Sequence, residues 1–580
     1  MMSSVSSSRT STEDALQSIR YELKGNIFRN VNGLFAKYFE GSSWSVVVQN
    51  KLQETKSAKI ISKLSAGVPG IAHSDSLAEW LAEFQTLFSA TDQANFSFNS
   101  QLLSNTGNTP RTVIYLEASD PWSVTGSTRV FAEFHHDSIP VMAEDDDDIL
   151  RFCERARQVF ENQPTRCFVH GFLVRGATLE LWVFDRSGAY SSERIDLAQR
   201  PDLLVRVLAG YTLMSDKEVG FNTFVKPAAP GLGSYVTFGR RDKFYLRPWF
   251  IATADYMVGP GTTCFVASTW KRGEADNVIK FSWREDEEST ELRLLERAHE
   301  RNAWGVIQLV GYKDLVNIAD LREGLHFPQT FVNRTFSCVA TWPQGRPIQR
   351  FTSIPELLEV LHDLVKALQS LYVNARILHR DVAIKNLIII PQHSADSPRG
   401  VLRNFNFALD LDNIGPIELM VGSDGFMAIG ILCGQRHTYR HDLESLFYVF
   451  LWIAIGNDRV HGKADDILKG MSKTSRLWKW CTTDFGAVGR DKAADMGPEG
   501  FEGILDEFSS DFAPLRGLAK ELHALIFPVR DGEIFTGTDT DQVAVQKIYD
   551  EMADAFKRSA GILGLRSFNY STLKGANSCN

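Results

Sequence analysis

The chain has 580 residues, 44% of them apolar and 23% charged, with a formal net charge of −9, so it has room for two to four domains at roughly 150 residues each. An acidic balance without clustered Lys and Arg excludes nucleic-acid binding as the default, because phosphate backbones are held by concentrated positive charge. Seven scattered cysteines with no C-x-x-C pair exclude a disulfide framework or a zinc site and fit a reducing interior.

Met1 to Thr12 is Ser/Thr-rich, lacks the apolar stretch of a signal peptide and reads as a frayed terminus. Asp14 to Phe39 and Ser76 to Ser89 carry helical periodicity, the latter through Leu77, Trp80, Leu81, Phe84 and Leu87. Val130-Phe-Ala-Glu133-Phe134-His135 follows on an expected strand. It has the E-x-K spacing of metal-dependent nucleases, but with His for Lys and no upstream aspartate, so an ordinary half-buried strand is expected. The acidic run Glu144 to Asp148 precedes an expected helix, Ile149 to Asn162, whose positive N-terminal end favours carboxylates. The run lacks the spacing of a calcium loop.

Arg166 to Val174 and Thr178 to Asp185, separated by Arg175-Gly-Ala177, predict a β-hairpin. Ser187 to Ser192 reads as a polar turn and Arg200 to Met214 as a helix. The Pro227 to Gly233 cluster is the candidate domain boundary. Ser353 to Asn374 reads as a long helix opened by a capping box, with Ser353 as cap, Glu356 three residues on and Pro355 in the first turn.

That helix leads into Ile377-Leu378-His379-Arg380-Asp381, and Val382-Ala383-Ile384-Lys385 leads on to Asn386 and the apolar strand Leu387 to Ile390. The pattern is H-R-D-x-x-x-x-N before a buried strand. Phosphoryl transfer needs groups that cradle phosphates, hold metal and orient the attacking hydroxyl. Asp381 is the candidate to take or orient the hydroxyl proton, and Asn386 the candidate Mg²⁺ ligand. Upstream, Asn277-Val-Ile-Lys280-Phe281 matches the V-A-I-K strand, which makes Lys280 the candidate nucleotide-phosphate ligand. Glu291 on the next helix is its expected partner, ahead of Glu296. Gly259 and Gly261, between extended segments, are candidates for presenting backbone N–H groups to phosphate, although an ordinary hairpin turn fits as well.

Through these residues the sequence resembles the fungal-type protein kinase family. The resemblance rests on Lys280-Phe-Ser-Trp283, Leu378-His-Arg-Asp381 with Asn386, Gly425-Phe-Met-Ala428 and Tyr439-Arg-His-Asp442-Leu-Glu-Ser445. It extends upstream through Phe168-Val-His-Gly171 and Leu181-Trp-Val-Phe-Asp-Arg-Ser-Gly188 and covers roughly residues 110 to 460. It implies an α+β, bilobal protein-kinase-like fold, with an antiparallel-sheet small lobe and a mostly helical large lobe, preceded by an α/β N-terminal domain. ATP and Mg²⁺ are the implied cofactors, and Asp442 the residue that supports the catalytic loop.

Two positions depart from the family. Where it has Asp-Phe-Asp, this chain reads Asn404-Phe405-Asn406, and a neutral amide at 404 offers Mg²⁺ no charge. Asp410 and Asp412 read as solvent-facing loop carboxylates rather than replacements. At the end of the activation segment Gly430 stands where the family has a glutamate, a loss expected to lower stability. Lys385, four residues after Asp381, reads equally as a γ-phosphate ligand or a surface lysine. Arg380 and Ser423 suggest a phosphate-binding pair on the activation segment.

The expected organisation is a disordered 1–12, an N-terminal domain over 13–230, a small lobe over 231–340, a large lobe with C-terminal helices over 341–565 and a flexible 566–580. Helices are expected at Leu515 to Ile526 and Val543 to Phe556. No run reaches the roughly 18 to 20 apolar residues that span a bilayer; the longest, Phe447 to Ile455, reads as a buried helix. The expectation is therefore an intracellular protein, cytoplasmic or nuclear and not secreted, that acts on protein substrates or partners and binds neither nucleic acid nor membrane. The activity expected is ATP-dependent phosphoryl transfer to protein Ser/Thr hydroxyls; the alternative is a pseudokinase scaffold that keeps the fold without turnover.

Overall fold

The computed structural model describes residues 15–54, 59, 74–88, 96–103, 111–118, 128–135, 146–229, 233–239, 242–270, 276–285, 290–392, 394, 396–413, 420–457, 471–482 and 484–576. The first dozen residues, Ser89, Glu144, Asp145 and the last four residues lie outside these. The chain divides into one unit of Met1–Glu287 with Gly311–Ala340 and a second of Glu288–Val310 with Thr341–Asn580.

The first unit holds two sheets. In chain order the strands of one are β1 (Ile27–Phe28), β2 (Phe96–Leu103), β3 (Arg111–Ala118), β4 (Thr128–His135), β5 (Phe168–Arg175), β6 (Thr178–Asp185), β7 (Gly188–Ser191) and β8 (Ile195–Asp196), arranged β1-β7-β6-β5-β4-β3-β2 with β8 beside β6. β5 and β6 form the expected antiparallel hairpin, Arg175 opposite Thr178. β4 and β5 are parallel, and the helix Asp146–Asn162 makes the crossover such a pair requires. That helix buries Phe152, Cys153 and Phe160 against Phe131, Trp182 and Phe184, while Leu204, Val207, Leu208 and Tyr211 of the helix Asp202–Leu213 join Phe172, Leu181 and Val183 in a second core. Covered on both faces, β5 and β6 are nearly all buried, which is why they read as continuous apolar runs rather than alternating ones.

The expected helix over Asp14 to Phe39 is broken. The chain turns at Gly25, runs as β1 and restarts as the helix Leu34–Phe39 after Gly33; these glycines take φ +78 and +90, which L side chains resist.

The second sheet is β9 (Lys226–Pro227), β10 (Ser234–Thr237), β11 (Lys243–Ala252), β12 (Thr263–Ser268), β13 (Asn277–Arg284), β14 (Gln308–Asn317) and β15 (Thr335–Trp342), ordered β14-β15-β13-β12-β11-β10-β9. Strands β9 and β10, which flank the Pro227 to Gly233 cluster, pair antiparallel. One core runs from Phe172, Val183 and Tyr190 of the first sheet to Val236, Phe281, Trp283 and Phe336 of the second. An ion pair reinforces the joint: Arg322 donates to both oxygens of Asp185 at 2.8 Å, each side chain 1% exposed. The guanidinium lies 4.4 Å from the Phe331 ring centre and 4.7 Å from that of Phe327.

The second unit is mainly helical around the helix Tyr439–Gly456, every residue of which is buried; the expected buried stretch Phe447 to Ile455 lies inside it. The expected helix after Ser353 runs Ile354–Ser370. Ser353 Oγ accepts from Glu356 N at 3.2 Å, but the Glu356 carboxylate returns to Thr352 N and Oγ1, one residue earlier than a capping box requires. The last helix, Gln542–Ala576, continues well past Phe556. It packs along Ile354–Ser370, where His362 Nδ1 lies 3.0 Å from Ala553 O. Among the described residues no helix is long and apolar enough to cross a membrane.

Candidate active site

The loop His379 to Asn386 is anchored from below. Asp442, on the buried helix Tyr439–Gly456, accepts from His379 N and Arg380 N, both at 2.9 Å, and holds Arg380 at φ +64. Burial raises the Asp442 carboxyl, but His437 at 3.1 Å and the His379 N–H outweigh it and hold the group below the usual carboxylate range. His379 Nδ1 accepts from Asp381 N at 3.3 Å, so its Nε2 is the donor to Arg403 O at 3.1 Å. The imidazole thus braces the loop against the strand that leads to Asn404.

Asp381, 2% exposed, has both carboxylate oxygens engaged by neutral donors. Asn386 Nδ2 donates to Oδ2 at 2.7 Å and Ser423 Oγ to Oδ1 at 2.5 Å. Lys385 Nζ stands 3.9 Å from Oδ2 on a side chain 63% exposed. Asn404, at φ +69, donates through Nδ2 to Asn386 Oδ1 at 3.1 Å, while its own Oδ1 is buried and accepts no hydrogen bond. Glu291 is half-buried and its Oε1 lies 3.4 Å from the N of the buried Phe405; Glu296 is exposed. One unit thus brings together Asp381, Lys385, Asn386, Asn404 and Glu291. Lys280, half-buried on β13 opposite Cys264, belongs to the other unit with Gly259 and Gly261.

The orphaned Asn404 oxygen tests whether a divalent cation fits. An acceptor with no donor, beside a second amide oxygen on Asn386, is the chemistry of a cation ligand, but both ligands are neutral where a hard cation prefers charge. The donor set fits Mg²⁺ as a weakened site. Asp410 does not restore the missing charge, and its expected solvent exposure is corrected: it is 3% exposed and paired with Arg293 and Arg297, each at 2.5 Å. Asp412, 40% exposed, pairs with Arg297, Arg301 and Arg376. The helix Thr290–Glu300 carries Arg293 and Arg297 one turn apart, a signal that could have marked these aspartates as claimed.

Three further expectations change. Gly430 is not a vacancy for a glutamate: a Cβ there would come within 2.5 Å of His441 Nε2 and 2.6 Å of Gln435 Oε1. The segment is held instead by Glu444, which accepts from Ile429 N at 2.7 Å, and by Lys492, fully buried, whose Nζ donates to Gly425 O at 2.9 Å and Met427 O at 2.7 Å. Burial pulls the Lys492 ammonium down to about 7, against the pull of Glu444 and Cys481. Second, Gly259 does not present a free donor: its N–H donates to Arg186 O at 3.0 Å. Third, the strand of Glu133, expected to be half-buried, is buried from Arg129 to His135; Glu133, 1% exposed, is paired with Arg155, with His135 Nε2 3.4 Å away and Arg111 at 4.0 Å, a closed ion network.

A cleft of about 720 Å³ in the first unit, walled by Phe168, Phe221 and Leu315, includes none of these residues. Volume alone therefore does not locate the chemistry.

The fungal protein kinase profile matches residues 126–454, more than half of the chain and all of the catalytic-loop constellation. The chain belongs to the fungal protein kinase family. Its kinase-like α+β fold follows from that membership. A solved structure of vaccinia related kinase 3 is similar over 58% of this chain and 94% of that one, at 14% identity and a TM-score of 0.35, too distant to carry an argument. No curated protein matches the sequence.

Proposed function

We propose that this fungal kinase family member transfers the γ-phosphoryl group of ATP to a Ser or Thr hydroxyl of a protein substrate. The observation that carries the reading is the Asp381 carboxylate, which accepts a hydroxyl hydrogen, that of Ser423, at 2.5 Å while Asn386 fixes its other oxygen. A base must lie within hydrogen-bond reach of the proton it takes, and an acceptor hydroxyl that replaces Ser423 meets the same oxygen. The acceptor oxygen then bonds to the γ-phosphorus, the bond to the β-bridging oxygen breaks, ADP leaves and the proton passes to Asp381. In this reading Lys280 balances nucleotide phosphate charge, and Lys385 does so for the transferred group. Residues 231–340 and 341–565 serve as small and large lobes in this reading.

Asn386 and Asn404 would hold the Mg²⁺, which supplies neutralisation of phosphate charge. With no carboxylate at 404 the binding is weak, and this favours a second reading, a pseudokinase that binds nucleotide or partner without useful turnover. The test is phosphotransfer to a mixed Ser/Thr peptide set with Mg²⁺ or Mn²⁺, comparing wild type with Asp381→Ala, alongside calorimetric nucleotide binding. Turnover that Asp381→Ala abolishes supports the kinase; turnover that survives it refutes the assignment. Nucleotide binding without turnover, even in Asn404→Asp, selects the second reading.

A further inference from the structure

The loop between β11 and β12 is fastened to the first sheet of its own unit through consecutive backbone groups. Glu22 Oε1 accepts from Met257 N at 2.5 Å and Val258 N at 2.6 Å. Arg186 accepts from Gly259 N through its carbonyl and donates through Nη1 to Tyr256 O at 2.6 Å and Met257 O at 3.2 Å. Gly261, at φ +51, lies so close to that guanidinium that a Cβ would fall 2.6 Å from Arg186 Cζ. The Met257 side chain is fully buried in the core with Ile19, Leu23, Phe131, Trp182 and Phe184. Arg186, also fully buried, stacks on Phe160 at 4.5 Å. Burial pulls its guanidinium down to about 10, so it stays charged at neutral pH.

A loop that joins two strands normally runs over the surface and keeps its amides for water or ligand. Here the N–H groups of Met257, Val258 and Gly259 are all spent on protein acceptors, and a side chain of the loop is seated in another sheet's core. An N–H that already donates to a buried carboxylate is lost to a phosphate until that bond breaks.

We infer that Glu22 and Arg186 are positioning residues that clamp the phosphate-facing loop, so that the chain binds nucleotide weakly in this conformation and binds it more tightly when the clamp opens. The inference rests on the proposed kinase reading, in which this loop faces the nucleotide. Glu22 is the element most easily released, being half-buried on a terminal helical turn, and any partner that competes for its carboxylate would act through it.

The experiment uses the full chain and the variants Glu22→Ala and Glu22→Gln, with ADP and ATP as probes in calorimetry and hydrogen exchange read at residues 256–261. Glu22→Ala is expected to speed exchange at Met257 and Val258 at least tenfold and to tighten the ADP Kd by about tenfold. Glu22→Gln, which keeps an acceptor oxygen, is expected to stay near wild type. Faster exchange with an unchanged or weaker Kd overturns the inference, since the contact would then be structural or preorganising. Unchanged exchange overturns it as well, because Glu22 would not hold the loop. If no variant binds either nucleotide, the kinase reading falls and the clamp's role with it. Should Glu22→Ala fail to fold, Glu22→Asp, one methylene shorter, carries the same test.

Discussion

Asp381 and Glu133, one in each unit, are both almost fully buried, at 2% and 1% exposed, yet their surroundings differ in kind. Asp381 accepts hydrogen bonds from an amide and a hydroxyl, and the exposed Lys385 stands 3.9 Å away. Glu133 is enclosed by Arg155, Arg111 and His135. A carboxylate held by neutral donors keeps its charge available to a reacting proton; one enclosed by guanidinium groups has that charge spent on the fold. Both lie in motif-like sequence, H-R-D-x-x-x-x-N and E-x-H, and only the groups around each set them apart.

The sharpest way to break this comparison is kinetic. Asp381→Asn is expected to lower phosphotransfer by about 10²–10⁴-fold and Glu133→Gln to leave it unchanged, both measured as kcat/KM on the same peptide. The reverse ranking would refute the contrast. In stability the order inverts: Arg322→Met, which strands the buried Asp185, is expected to cost roughly 3–5 kcal/mol in urea unfolding, and Glu133→Gln about 1–3 kcal/mol as its arginines lose their counter-charge. Asp381→Asn, which takes a counter-charge only from the solvent-exposed Lys385, should stay within about 1 kcal/mol.

Acid sharpens the contrast further. Burial raises the Glu133 carboxyl, but the neighbouring His135 and Arg155 outweigh it and leave it depressed. Its stabilising contribution is therefore fully present above the ordinary carboxyl range and is lost as pH falls through the lower folded value. The gap between wild type and Glu133→Gln should close on acidification, followed as the urea midpoint from pH 7 to pH 3. The smallest effect is expected at Asn404→Asp, about tenfold in Mg²⁺ affinity, read by metal titration of nucleotide binding.

The loop from His379 to Asn386 was legible in sequence because its parts lie within eight residues, between a helix and a strand whose periodicities are plain. The hairpin β5–β6 and the helix Ile354–Ser370 were legible for the same local reason. What sequence hid was long-range pairing. Asp410 looked like an exposed loop residue because its arginines lie more than a hundred positions earlier, and the loop of Gly259 and Gly261 looked open because Glu22 and Arg186 lie 235 and 70 positions from the residues they hold. The break in the first helix had a local sign, Gly25 and Gly33, that the surrounding apolar spacing outweighed. The joint of Asp185 with Arg322 lies inside a family motif, but no periodicity reveals a partner 137 residues away.

Gly430 bears on how this chain can change. A Cβ at this position would fall 2.5 Å from His441 Nε2 and 2.6 Å from Gln435 Oε1, so any side chain there must first push those two aside. Glu444 and Lys492 grip the neighbouring segment by its main chain, at Ile429 N, Gly425 O and Met427 O. An anchor made to backbone atoms asks nothing of the side chain at 430, so the footing of the segment does not depend on a carboxylate there.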